Sequence, residues 1–352
     1  MTNIFLRIQE QLAANLPFAV YSKPGSEALT GVFQVTEGNF TVTDHTESGF
    51  IFAPFNQGST AFIPHNQSDI ITSELKPEDA PALSNGLEPN PDYGKKHFEN
   101  LVNQCITTIK SGEFDKLVAS RTEIVENESI DIIALYKRLL YTYPNALRYC
   151  FFSPETGLWM GATPEQLIKV EANTLHTVAL AGTQLYSPEK KAVWQDKEKQ
   201  EQLFVTQYIT NTLQPFTTTI SATEPYTFRA GNLVHIKTDI SAEIASQSTL
   251  KEVISALHPT PAVCGLPKAE AMGFLIDNED YNREYYAGYL GELNHDFATG
   301  QPKTDLFVNL RCMKVTDNKA HLYIGCGITA DSDPEKEYME TVNKSMTMKK
   351  LF

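Results

Sequence analysis

Two pairs of glutamates in this 352-residue chain share one spacing: Glu198 with Glu201, and Glu337 with Glu340. On a helix, three positions bring both carboxylates of a pair onto one face. Glu201 is followed by Val205, Tyr208 and Thr212 at i+4, i+7 and i+11, so it heads the apolar stripe rather than the wet side. A lone carboxylate there loses much of its hydration, and it needs a cation, a metal or a solvent-filled cleft. The plainer alternative is a helix end that projects past the core and leaves Glu201 solvated. In the last helix Glu337, Glu340 and Lys344 share a face, opposite Tyr338, Met339, Val342 and Met346, which are the better core candidates. By itself that face suits a solvated Glu-to-Lys pair. Taken with the other pair, four carboxylates offer an oxygen-rich site to a hard cation such as Mg²⁺.

The segment FDKLVASR reads as a strand, with Lys116, Val118 and Ser120 on one face and Leu117, Ala119 and Arg121 on the other. Either Lys116 or Arg121 must face the more buried side. A lysine in a partly dry site can serve as a base, whereas one at a strand end often snorkels out to water. Glu165 in GATPEQL and Arg311 in VNLRCM have ordinary surface-strand explanations when taken singly. Three further matches carry little: GCGITA has no mononucleotide-binding βαβ unit around it, STLK lacks its partner motifs, and the Asn-x-Ser/Thr sites matter only after secretion.

These residues depend on the elements that hold them. Phe98, Leu101, Val102, Cys105, Ile106 and Ile109 make a helical stripe that stops at Ser111-Gly112. A second helix runs from about 131 to 143 before Pro144, and a long one from about 188 to 213. The last begins at Asp333-Pro334 with an acidic first turn and continues to about Lys350. Six short alternating pieces between 18 and 73 read as an antiparallel meander. The stretch 74–96 is rich in Pro, Asn and Glu and reads as a connecting segment. Strand pieces follow at 147–153 and 157–161. LIKVEANTLHTVAL folds back near Asn173, and LFVNLRCMKV pairs with AHLYIGC across a turn at 316–319. Without strict βαβ alternation, the fold class is α/β of the α+β type, with large antiparallel sheets.

Composition narrows the partners. Twenty-nine Lys and Arg against 43 Asp and Glu give a net charge of -14, which repels a phosphate backbone or an anionic bilayer. Neither nucleic acid nor a membrane surface is an expected partner. The five cysteines include no CxxC pair and suit a reducing cytosol. The first residues lack the unbroken apolar run of a signal peptide, and no apolar stretch approaches the ~18 residues of a membrane span. A cytoplasmic location is the expectation.

In order along the chain, KLVASR, GATPEQL, ALAGT, the Lys197 to Glu201 helix, HIKTDISAEI, LHPTPAVCGLPK, NREYYAGYLG, NLRCMKV and IGCGITADSDPEKEYMETVNK resemble the motifs of the chorismate-utilising enzymes, and most closely the isochorismate synthases. The resemblance covers about residue 95 to the C-terminus, and the leading 1–96 portion fits the family's β-rich start. It implies a single domain over 1–352, with two-layered antiparallel sheets flanked by helices and the active site between them. It also implies Mg²⁺-dependent conversion of chorismate to isochorismate, by water addition at C2 and loss of the C4 hydroxyl, in menaquinone or siderophore biosynthesis.

By motif position, the resemblance makes Lys116 the base for water and Glu165 the acid for the departing hydroxyl. Glu201 and Glu340 would bind Mg²⁺ directly, and Glu198 and Glu337 through water. Tyr286, Arg311 and the backbone at Gly325 would hold the enolpyruvyl carboxylate, with Lys344 and His235 lining the site. Ala181, Gly182 and Thr183 of ALAGT and Ala262 of HPTPAVCG would also meet substrate. Enzymes that make anthranilate from ammonia lack a lysine at the position of Lys116. Ala181 replaces the nucleophilic lysine of aminodeoxychorismate synthases, and Ala262 replaces the Thr of anthranilate and salicylate synthases. Gln202 departs from the family's usual His. The implied protein is a monomer that needs no glutamine amidotransferase subunit. The alternatives are a salicylate synthase, which also eliminates pyruvate, and a non-catalytic chorismate-binding subunit.

Overall fold

The structure, a computed structural model, describes residues 3–352 apart from Gln57, Leu83, Lys190, Gly231 and Asn232, and the backbone alone of Thr183, Leu185, Lys197, Ala230 and Leu233. Two large antiparallel sheets organise it. The first runs Gly265–Leu266, Lys116–Glu126, Lys319–Ile328, Cys312–Thr316, Gly157–Thr163, Leu147–Ser153, Phe18–Ser22, Ala28–Gln34 and Ser68–Glu74. The second runs Thr217–Ala222, Leu233–Ile244, Thr174–Leu185, Gln166–Glu171, Lys303–Val308, Tyr289–Leu293, Gly49–Ala53, Ala61–Pro64 and Phe40–Thr41, with Tyr226–Ala230 also on Leu233–Ile244.

Aromatic side chains join the sheets. Tyr21, Tyr149, Phe151 and Trp159 of the first share one buried cluster with Phe50, Phe52 and Phe307 of the second. The Phe52 and Phe151 rings are 4.5 Å apart, and Tyr21 and Phe50 are 5.0 Å apart. Ile4, Ile8, Leu135, Tyr136 and Leu139, from the helices Ile4–Ala13 and Ile132–Thr142, pack with Val20, Cys150 and Met160 of the first sheet in a separate cluster. Helices Lys95–Lys110 and Pro334–Lys349 pack together against the strands Lys116–Glu126 and Lys319–Ile328. Helix Asp196–Leu213 lies on Thr174–Leu185 and Leu233–Ile244 of the second sheet. Among the described residues no helix is long and apolar enough to cross a membrane.

The six residues of the 98–109 stripe are all buried, as their spacing requires. Asp333 caps the final helix by accepting from Lys336 N at 3.0 Å. Four expectations need correction. The strands of 18–73 are divided between two sheets instead of forming one meander. LFVNLRCMKV is not one strand: Lys303–Val308 belongs to the second sheet and Cys312–Thr316 to the first. The long helix starts at Asp196, where Gln195 and Glu198 form a reciprocal capping box. Met339 is 37% exposed, because Tyr338 and Val342 take the buried face together with Thr341 and Ser345. The 86–93 stretch lies along the final helix, with Leu87 N donating to Lys349 O at 3.0 Å and Tyr338 Oη to Tyr93 O at 2.9 Å.

Candidate active site

Glu165 and Arg311 both stand where the chain passes between sheets. Pro164 and Glu165 link Gly157–Thr163 of the first sheet to Gln166–Glu171 of the second. Asn309, Leu310 and Arg311 make the return crossing, and Arg311 takes a left-handed φ of 48° to turn the chain. Hydrogen bonds fasten the crossings to each other: Val308 N donates to Glu165 O at 2.9 Å, Ala162 N to Arg311 O at 3.0 Å, and Thr163 Oγ1 to Val308 O at 2.5 Å. Residues at such crossings escape the in-and-out alternation of a strand, which frees their side chains for the space between sheets.

Burial pushes the Glu165 carboxyl up to about 7, against the opposing pull of Lys116, Arg311 and Lys344. Three cations therefore surround one acid. Lys116 lies over Gly327, where a Cβ would stand 3.0 Å from its Cε and 3.5 Å from its Nζ. Lys344 Nζ donates to Gly325 O at 2.9 Å and pairs with Glu340 at 2.6 Å. Gly325 has no room for a side chain, since a Cβ would be 2.6 Å from Tyr286 Oη and 3.1 Å from Ala119 O. Tyr286 is buried and stacked on Tyr323 at 5.7 Å. Arg311 Nη1 donates to Thr347 Oγ1 at 3.0 Å; burial weighs against its charge, which Tyr286, Tyr143, Glu340 and Glu165 support. Lys116, Glu165, Tyr286, Arg311, Gly325, Glu340 and Lys344 thus form one interacting group.

A second group forms around the slip in register between Ala181 and Gln184. Gly182 has φ 67°, and its carbonyl accepts from His235 Nδ1 at 3.0 Å. A Cβ on Gly182 would be 3.5 Å from Glu198 Cβ. The Glu198 carboxylate accepts from Gln195 N at 2.8 Å and from Gln184 Nε2 at 3.1 Å. Glu201 is exposed, as the alternative of a helix end projecting past the core requires, and not set in the dry part of the stripe. The buried position belongs to Gln202, whose amide donates to Thr206 Oγ1 at 2.9 Å and Thr238 Oγ1 at 2.7 Å. Ala262 lies exposed on the loop before Gly265–Leu266, and the Thr183 side chain falls outside the described residues.

The donor chemistry of the glutamates suits a hard cation. Burial raises Glu337, hydrogen bonds from Ser332 and Cys326 oppose this, and the charge of Glu340 raises it further. A cation near this pair would relieve that repulsion. Glu198 and Glu201 belong to the helix on the second sheet, and Glu337 and Glu340 to the helix beside the first. Among the described residues, no three His, Cys, Asp or Glu side chains are gathered into a metal-holding cluster.

Sequence reasoning missed Glu279 and Arg283. They form a buried ion pair at 2.6 Å, with Ser120 N donating to Glu279 Oε1 at 2.7 Å. An acid and a base four residues apart usually mark a wet helix face, so only the place of Arg283 inside NREYYAGYLG could have drawn notice.

A family model described as chorismate binding enzyme matches residues 54–352. The chain is 29% identical over 266 residues to the salicylate biosynthesis isochorismate synthase of Pseudomonas aeruginosa, covering 72% of this chain and 54% of that protein. It is 29% identical over 266 residues to isochorismate synthase MenF of Escherichia coli, covering 73% and 60%. The chain thus spans little more than half the length of these curated relatives. The crystal structure of DhbC from Bacillus anthracis is similar with a TM-score of 0.75 and 25% identity, over 97% of this chain and 98% of that one. The structure of Escherichia coli MenF shares the fold at a TM-score of 0.78 and 23% identity, over 96% and 89%.

Proposed function

The chain belongs to the chorismate-binding enzyme family, and from that premise we propose that it is an isochorismate synthase, an isomerase that moves the ring hydroxyl of chorismate from C4 to C2. The observation that carries this reading is the Glu165 carboxyl, held at about 7 among Lys116, Arg311 and Lys344. An acid of that strength is protonated in a large fraction of molecules at neutral pH. The reaction needs one group to take a proton and another to supply one.

Lys116 removes a proton from water as its oxygen bonds to C2. Glu165 gives a proton to the hydroxyl leaving C4, which departs as water, so the ring neither gains nor loses atoms overall. The guanidinium of Arg311 receives the enolpyruvyl carboxylate as a planar fork, with Tyr286 and the Gly325 backbone beside it. Lys344, His235, Gly182 and Ala181 complete the lining. Local positive charge at Lys116, Arg311 and Lys344 explains how a protein of net charge -14 admits a dianion. Magnesium would be held by Glu201 and Glu340, with Glu198 and Glu337 through water, and when bound it would supply positive charge to the ring carboxylate. The same reading makes the protein cytoplasmic, monomeric and independent of an amidotransferase subunit, feeding a menaquinone or siderophore route.

The test is incubation with chorismate and Mg²⁺, followed by chromatographic identification of products and an assay for pyruvate. Isochorismate without pyruvate is expected. Stoichiometric pyruvate would assign a salicylate-forming activity instead, and no turnover would remove the enzyme reading.

A further inference from the structure

The strand Lys116–Glu126 pairs with Lys319–Ile328 along one side from Leu117 to Glu126. On the other side, among the described residues, it has only Gly265 and Leu266, opposite Leu117 and Lys116. Val118 N still donates to Cys264 O at 2.8 Å, but among the described residues no strand continues the ladder. The next backbone groups on that edge are Val118 C=O and Ser120 N–H, because alternate residues direct both groups to the same neighbour. Both find side chains. Arg283 Nη2 donates to Val118 O at 2.6 Å, and Glu279 Oε1 accepts from Ser120 N at 2.7 Å. One ion pair takes the place of two rungs.

The pair is built for stiffness. Arg283 Nε donates to Glu279 Oε2 at 2.7 Å and Nη2 donates to Oε1 at 2.6 Å, so the planar fork is engaged twice. Ser120 Oγ adds a donor to Glu279 Oε1 at 2.8 Å and lies 2.6 Å from Tyr281 Oη. Arg283 Nη1 donates to Val263 O at 2.8 Å, next to Ala262. The guanidinium sits 4.4 Å from the centre of the Phe55 ring and 5.9 Å from that of Tyr286. The pair therefore ties together the strand that begins at Lys116, the loop carrying Ala262 and the segment carrying Tyr286.

We propose that Glu279 and Arg283 are positioning residues: by standing in for two rungs of the ladder, they fix the start of the strand and so the place from which Lys116 reaches substrate. This rests on the reading of Lys116 as the base. Two buried charges can be removed together without leaving one unpaired, so the double substitution Glu279→Leu with Arg283→Met is the informative variant.

It should still melt cooperatively, but below wild type, because Val118 C=O, Ser120 N–H and Val263 C=O lose their buried partners. Its kcat should fall about tenfold or more while KM for chorismate stays within about threefold. The pH profile of kcat should move, because Lys116 no longer keeps its distance from Glu165, and the Ser120 amide should exchange about tenfold faster or more. A purely structural role would lower the melting temperature without moving the pH profile. A folded double variant with wild-type kcat and pH profile overturns the proposal. If the double variant does not fold, Arg283→Lys decides: it keeps the charge but cannot reach both carbonyls, so kcat should drop several-fold at similar KM, and a wild-type kcat rejects the proposal. Turnover of chorismate by wild type, and its loss in Lys116→Gln, test the functional reading separately. Should wild type prove inactive, that reading fails, and unchanged Ser120 exchange in the variant would reject the structural half of the proposal as well.

Discussion

At the residue scale, a carboxyl at about 7 makes a claim on both catalysis and stability. If Glu165 is the acid, its working form is protonated, and kcat should decline as pH rises through about 7. Stability follows the same proton. The folded-state value lies above that of an unfolded glutamate, 4.5, so the folded protein holds the proton more tightly. The resulting stabilisation is complete below about pH 4.5 and is lost as pH rises through about 7. Glu165→Gln should accordingly abolish most turnover yet stabilise the fold by about 1–2 kcal/mol above pH 8, with the gain vanishing near pH 4. Thermal melts across that range check the sign; a Gln variant less stable than wild type at pH 8 would rule out the buried-acid account. Lys116→Gln should fold, since a strand start tolerates a polar residue of similar length, and should lose about 10²- to 10⁴-fold in kcat. Wild-type kcat across pH in a folded Lys116→Gln protein would show that the proton leaves by another route.

At the scale of the element, the lysine depends on a glycine in the neighbouring strand. A methyl group at position 327 would meet Lys116 Cε at 3.0 Å, and a flexible side chain can retreat from it at small cost in stability. Gly327→Ala should therefore melt near wild type while kcat falls by about tenfold through displacement of the base. Unaltered kcat would mean that Lys116 does not work from this position. Elements of this kind were legible in unequal degree. The 98–109 stripe and the Asp333-Pro334 cap declare themselves, because helical spacing and capping are local rules. The start at Asp196 was hidden, since a glutamine cap lacks the familiar Ser, Thr, Asp or Asn signal. The crossing at 309–311 was hidden too: no Gly or Pro interrupts LFVNLRCMKV, and the turn at Arg311 comes from the chain changing sheets. Glu165, Arg311 and Lys344 are ordinary surface candidates one at a time. Their meeting depends on tertiary pairing, and only the ordered succession of motifs pointed to it. The Glu279–Arg283 pair was missed because spacing carries no information about burial.

At the scale of the whole molecule, the two glutamate pairs belong to different sheets: Glu198 and Glu201 ride on a helix of the second, Glu337 and Glu340 on a helix beside the first. The described residues do not gather them into one cluster. A cation served by either pair alone has at most two carboxylates, too few to hold Mg²⁺ tightly against its own hydration shell. On the proposed reading, the ring carboxylate of the substrate would supply the missing donor. Magnesium should consequently bind weakly to the free protein and more tightly with chorismate or an unreactive analogue present, and by linkage the ligand should bind more tightly with magnesium by the same factor. Glu340→Gln should diminish both effects together while leaving its helix formed, because glutamine is a comparable helix former and position 340 is exposed. Its loss also releases Lys344 from a 2.6 Å pair, so binding of the ligand alone should hold steady or strengthen slightly as magnesium coupling disappears. Calorimetric titration of Mg²⁺ with and without the analogue, in both proteins, measures all four corners of the cycle. Equal magnesium affinity in the presence and absence of ligand would show that these carboxylates do not share a cation with the substrate.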